Sequence, residues 1–240
     1  MSFSTTHSAL LAVPEALHPS LWRASQLAHS ATRCIDTGFA ALSAQLPGGG
    51  WPLGTLVELL LQQPGIGEMR LLAPALASLP GLPIVLVQPP HPPQALALAA
   101  LGLPPSRLIW IRGDKSGDAL WAAEQVLHSG SCAALLLWQN HVRGDALRRL
   151  HLAAQSGNTV FCMLRPLATA PDASPAPLRL SLRPAAGGID IGFVKRRGPQ
   201  REAPLFLPLT PSSVLQRHAS LDRPLSPPTP ARSVFSELVG

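Results

Sequence analysis

The chain has 240 residues, of which 46% are hydrophobic and only 13% charged, so it is long enough for one core of ordinary size and too apolar to be wholly disordered. Nineteen Lys and Arg against thirteen Asp and Glu give a formal charge of +6. The excess lies at the C-terminal end: residues 1–160 hold nine basic and eight acidic side chains, residues 195–240 seven and three.

Residues 1–45 read as an N-terminal helical segment, with one or two helices over 21–45. The Leu-Pro-Gly-Gly-Gly run at 46–50 is a turn that opens a core over residues 46–208. Residues 55–61 read as a buried strand, 62–67 as a loop, and 68–78 as a helix despite Pro74. A second strand falls at 84–87, a helix at 93–101, a third strand at 108–111 and a helix at 117–128. A fourth strand at 133–138, a helix at 144–156 and a fifth strand at 159–164 follow. Short continuous apolar strands alternating with helices predict an α/β fold: a mostly parallel twisted sheet flanked by helices on both faces. Residues 165–177 form a Pro/Ala/Ser loop. Residues 178–183 and 188–194 then alternate apolar and polar, which predicts antiparallel strands at one end of the sheet. Residues 209–240 are expected to be a mostly disordered Pro/Arg-rich tail, in which Val234, Phe235, Leu238 and Val239 would share one side of a short helix.

No apolar run reaches the ~18–20 residues of a membrane helix, and the longest, 71–87, is broken by Pro74, Pro80 and Pro83. The N-terminus shows no basic region followed by an apolar stretch, so no secretory signal is expected. Cys34, Cys132 and Cys162 are too few and too scattered for a disulfide framework or a zinc site; the last two read as small buried hydrophobes. The eight histidines show no ligand spacing, and no metal and no catalytic nucleophile is nominated. A cytoplasmic protein is expected.

In a parallel α/β sheet, ligands bind at the carboxyl ends of the strands. The loop after the first core strand, Gln62-Gln-Pro-Gly-Ile-Gly-Glu-Met-Arg70, holds the place of a phosphate-binding loop. Such a loop needs glycines for close backbone approach, a Lys for the phosphates and a Ser or Thr for magnesium. Gly65 and Gly67 are present, but Glu68 takes the lysine position and Met69 the hydroxyl position. A carboxylate there would repel phosphate. The fourth strand ends in Trp138-Gln139, with no acid for magnesium. On these residues alone the loop reads equally as a simple turn.

The order of the pieces adds a resemblance. Residues 46–58 with the altered loop resemble the segment leading into the Walker A motif of RecA recombinases. Residues 111–130 with the strand at 133–138 resemble the stretch leading into the Walker B strand, and 188–198 the last core strands. The resemblance spans roughly residues 21–205. Within that superfamily the chain resembles the ImuA family, RecA-like proteins associated with translesion DNA synthesis, to which the cell-division inhibitor SulA is related. The resemblance implies a RecA-like core and expression under DNA-damage control; the departures at Glu68, Met69 and Trp138 make that core degenerate and argue against an ATPase, so no catalysis and no cofactor is expected. It implies partnership with ImuB, a Y-family polymerase homologue, and with an error-prone C-family polymerase; RecA itself is a further candidate partner. The family's catalytic glutamate position after the second strand holds Pro90 before His91, so no water-activating base is expected.

Several residues are candidates for contact. Lys195, Arg196 and Arg197 could neutralise about three phosphates or meet an acidic partner, a modest and sequence-independent contribution. Trp22 could anchor a partner, because interface hot spots favour Trp and Arg. Residues 165–177 hold one cation and no aromatic stacker, so strong single-strand binding is not expected there. Asp145 and Arg149 read as an i, i+4 surface pair. Trp110 reads as core, and Trp138 as filling the space a nucleotide would take.

Overall fold

Chain order begins with two short strands, β1 (Cys34–Ile35) and β2 (Trp51–Pro52), which pair antiparallel. Between them lies a four-residue helix, α1 (Ala40–Ser43). The structure is a computed structural model and describes residues 33–113, 115–198 and 201–209. All of these fall in one compact unit, which ends at Thr210. Trp22, the rest of the segment before residue 33 and the tail from residue 210 lie outside the described residues.

Residues 33–45 correct the helical reading of that stretch. Asp36-Thr37-Gly38 breaks it: Asp36 Oδ1 accepts from the Gly38 N–H at 2.6 Å, and Gly38 takes a φ of +80°. A Cβ at Gly38 would lie 2.3 Å from Pro74 Cβ, so glycine is required there for space as well as conformation. The core also begins earlier than residue 46, because Leu42 is fully buried in it.

The main sheet has eight strands in the order β10-β9-β8-β3-β7-β6-β4-β5. They are β3 (Thr55–Leu61), β4 (Ile84–Val87), β5 (Leu108–Ile111), β6 (Ala134–Trp138), β7 (Val160–Pro166), β8 (Leu178–Ala185), β9 (Gly188–Lys195) and β10 (Leu205–Pro208). Strands β8, β3, β7, β6, β4 and β5 run parallel. β9 is antiparallel to β8, and β10 to β9. The antiparallel end is therefore built as expected, with the refinement that β8 itself pairs parallel to β3. Residues 205–208 add a strand that the sequence reading left unassigned.

Alternation along the strands feeds two cores. Val57, Leu59 and Leu61 of β3, with Cys162 and Leu164 of β7, face the helix α2 (Glu68–Ser78) through its Leu71, Leu72 and Leu76; Leu98 of α3 (Ala95–Ala99) joins them. On the other face Leu56, Leu135, Leu137, Phe161 and Met163 meet α4 (Ser116–Ser129) through Ala119, Ala123 and Leu127, and α5 (Gly144–Ala154) through Leu147 and Leu150. Those helical positions recur at three- and four-residue intervals, so each helix turns one stripe to the sheet. Each fully buried leucine contributes roughly 1.5–3 kcal/mol relative to exposure. Cys132 and Cys162 are buried in this interior, and burial pushes the Cys162 thiol up to about 12.

Candidate functional site

The loop between β3 and α2 sits at the carboxyl end of the central strand. Gly65 and Gly67 take φ values of +84° and +123°, which turn their amides inward. The Gly65 N–H donates to Glu68 Oε1 at 2.9 Å and the Gly67 N–H to Glu68 Oε2 at 3.1 Å. Glu68 is the first residue of α2 and is 4% exposed. Backbone N–H groups converging at a helix N-terminus form an anion site. Here the anion is the chain's own side chain. Glu68 therefore does more than place negative charge near a phosphate position: it takes the donors. Gly67 is also closed from above, because a Cβ there would lie 2.7 Å from Leu209 Cδ1.

The flanking residues are spent on packing. Ile66 and Met69 lie half-buried against the core under α2, and so does Trp138 at the end of β6. The Trp138 indole N–H is buried without a partner among the described residues. The residues that follow β4 and β6, Gln88 and Gln139, are neutral amides. Gln88, with a φ of 53°, donates its carboxamide N–H to the Gly113 carbonyl, and Gln139 Oε1 accepts from Ser116 Oγ at 2.7 Å. Both amides fasten the entry to α4. A shallow apolar groove of about 260 Å³ lies beside α2, lined by Phe39, Arg70, Pro74, Leu101 and Leu209.

A second carboxylate was missed by the sequence reading. Glu58, fully buried in the middle of β3, faces the α4–α5 side of the sheet. Its Oε2 accepts from Arg179 Nε at 2.5 Å; its Oε1 accepts from Arg165 Nη1 at 3.2 Å and Ser174 Oγ at 3.0 Å. The register explains the meeting, since Arg179 of β8 lies directly opposite Glu58. Arg179 goes on to donate to the carbonyls of Thr169 and Ala170, both at 3.0 Å, and Arg165 to Asp172 at 3.2 Å. The network pins the 167–174 stretch to the sheet. The one cation expected in the 165–177 loop is thus a buried β7 side chain, 3% exposed, turned to Glu58. The available signal was a single acid inside the otherwise apolar run of residues 56–61.

The basic stretch at the end of β9 is partly committed to its own chain. Lys195 Nζ donates to the Ser174 carbonyl at 2.9 Å. Arg196 Nη1 donates to the Gln45 carbonyl at 2.5 Å, and its guanidinium lies 4.7 Å from the Phe193 ring centre, within cation–π range. Arg197 is exposed. The expected Asp145–Arg149 pair is corrected. Asp145 meets Arg143 at 3.6 Å, while Arg149 reaches across to Glu124 of α4 at 3.4 Å. The reason is helix packing: α5 lies beside α4, and Arg149 faces that seam. Trp110 is also corrected, because β5 closes one edge of the sheet and leaves Trp110 45% exposed.

No helix among the described residues is long and apolar enough to cross a membrane. No family model matches the chain. A stretch of 76 residues is 32% identical to the cell division inhibitor SulA of Edwardsiella piscicida, covering 32% of this chain and 45% of that protein. The chain thus spans less than half the length of this relative.

Proposed function

We propose that the protein is a non-catalytic accessory component of an error-prone translesion synthesis complex in the DNA-damage (SOS) response, of the ImuA kind. Its partners on this reading are an ImuB-like Y-family polymerase homologue and an error-prone C-family polymerase, with RecA as a further one. It requires no cofactor and works in the cytoplasm. The observation that carries the reading is the Glu68 carboxylate seated on the Gly65 and Gly67 amides. A strand–loop–helix frame is kept while its anion site is filled from within, which favours a scaffold over an ATPase. The partial likeness to SulA supports a place in the same stress response.

That likeness also favours a second reading, a SulA-like inhibitor that binds the division protein FtsZ. Two experiments separate the readings. Capture of the Y-family homologue by the tagged full-length chain supports the first, and a folded chain that captures none overturns it. Filamentous cells with unpolymerised FtsZ on overexpression support the second. Calorimetry with ATP and magnesium tests the premise of both: no binding heat is expected, and tight magnesium-dependent retention of the nucleotide would overturn it.

A further inference from the structure

The two edges of the sheet are finished differently. β10 follows Pro204 and ends in Pro208, and proline withholds the N–H that a further strand would need. β5, at the opposite edge, reads Leu108-Ile-Trp-Ile111, with neither proline nor charge. Its register with β4 sets Trp110 beside Leu86 and Ile109 beside Val85. Leu86 belongs to the core under α2 and Val85 to the core under α4, so Trp110 and Ile109 emerge on opposite faces. They are 45% and 46% exposed. Among the described residues β5 has one side unpaired. A strand with such a side and an open apolar residue on each face is a template for another strand.

We infer that β5 is an interface between two copies of this chain, paired antiparallel about a two-fold axis so that one sheet runs through both. The pattern of the strand argues for this occupant. A two-fold axis normal to the sheet keeps each face with its like, and the interface is then isologous. The register centred on Trp110 sets Trp110 against its own copy on one face and Ile109 against Ile111 on the other. Each exposed residue is covered by a residue of matching character. Arg112 falls opposite Leu108, and Arg107 opposite Gly113, so no like charges face each other directly across the pair. Arg107 is in addition turned to the Pro80 and Leu82 carbonyls, at 2.9 and 3.1 Å. An acidic segment from a different protein would find no cation within the strand to answer it. The formal charge of +6 on each copy opposes association, but this repulsion is screened beyond about 8 Å at physiological ionic strength. The contact is apolar and backbone-mediated, so added salt strengthens it. This inference goes beyond the proposed function and does not depend on it.

Sedimentation of the full-length chain over about 1 to 200 µM tests the proposal through the concentration dependence of its mass. The expected result is a reversible dimer that strengthens between about 50 and 300 mM NaCl. Ile109→Lys and Trp110→Lys are each expected to weaken it by about tenfold or more. Trp110→Thr, a strand-favouring replacement, carries the same test if the lysine variants do not fold. A chain that stays monomeric throughout, with its edge open or covered by another segment, overturns the proposal. A dimer that survives the edge substitutions, or that weakens with salt, overturns it equally.

Discussion

Glu58 and Glu68 are both buried, ten residues apart on one strand–loop–helix unit, and are satisfied in opposite ways. Glu58 is met by two guanidinium groups and a hydroxyl from distant parts of the chain. Glu68 is met by two backbone amides within three residues of itself. The first arrangement is long-range and organises tertiary structure, because Arg179 and Arg165 carry the carboxylate's hold onward to Thr169, Ala170 and Asp172. The second is local and occupies a site. A buried charge with charged partners fixes where segments lie; a buried charge on backbone dipoles decides what else can bind there.

The contrast breaks most readily at Glu58. Glu58→Ala leaves the buried Arg179 without its carboxylate and Arg165 with Asp172 alone, and removing one member of a buried pair typically costs about 3–5 kcal/mol. Urea unfolding measures this, and limited proteolysis should show earlier cleavage within residues 167–174. A loss below about 1 kcal/mol would mean that Asp172 or solvent takes over, and that the network is not what holds the loop. Glu68→Ala comes next. It orphans two amides at a helix start, for which about 1–3 kcal/mol is expected in the same assay. Glu68→Gln keeps the volume but offers one carbonyl oxygen for two donors, so it should fall between Ala and the native chain. If Glu68→Ala proves costlier than Glu58→Ala, the ordering of long-range over local satisfaction is wrong.

The two glutamates also differ in how legible they are. Glu68 stood out because Gly65 and Gly67 fix a loop whose chemistry has a required residue at the next position. The reading of that carboxylate as repulsive was incomplete, since only the backbone conformation reveals that it accepts from the loop's own amides. Glu58 gave one sign, an acid within seven strand residues that are all buried. Its partners lie more than a hundred residues away and are chosen by strand order, which no local pattern encodes. The parallel strands and covering helices were readable because unbroken apolar runs such as 84–87 and 134–138 demand burial on both faces. Trp110 failed for the same reason in reverse: an apolar strand looks identical in sequence whether it ends the sheet or lies within it. Residues 205–208 were obscured by the prolines that bracket them.

A smaller effect separates groups held by charge from groups held by burial. His151 on α5 lies beneath the start of β3, with Nδ1 3.4 Å from both Thr55 Oγ1 and the Leu56 N–H. Burial first, and the positive charge of Lys195 second, lower its pKa below the ordinary 6.5. The unfolded chain therefore binds this proton more readily, so stability present at neutral pH is lost as pH falls through about 6.5. His151→Gln should flatten the fall in Tm between about pH 7.5 and 5.5 relative to the native chain. An unchanged slope would show that the ring is no more hindered from charging than in the unfolded chain.

The smallest expected effect makes the sharpest control. Arg149 and Glu124 repeat the Arg–Glu chemistry of β3 on the surface, at 3.4 Å, with Arg149 58% exposed and Glu124 20% exposed. In high dielectric such a pair contributes about 0.2–1 kcal/mol, because water already solvates both partners and salt screens the attraction. A double-mutant cycle of Arg149→Ala with Glu124→Ala should return a coupling in that range, reduced at about 0.5 M NaCl. The same cycle at Glu58 and Arg179 should return a several-fold larger coupling that salt barely changes. Equal couplings at the two places would mean that burial does not set the strength of the Glu58 network, and the distinction between its role and that of Glu68 would then rest on connectivity alone.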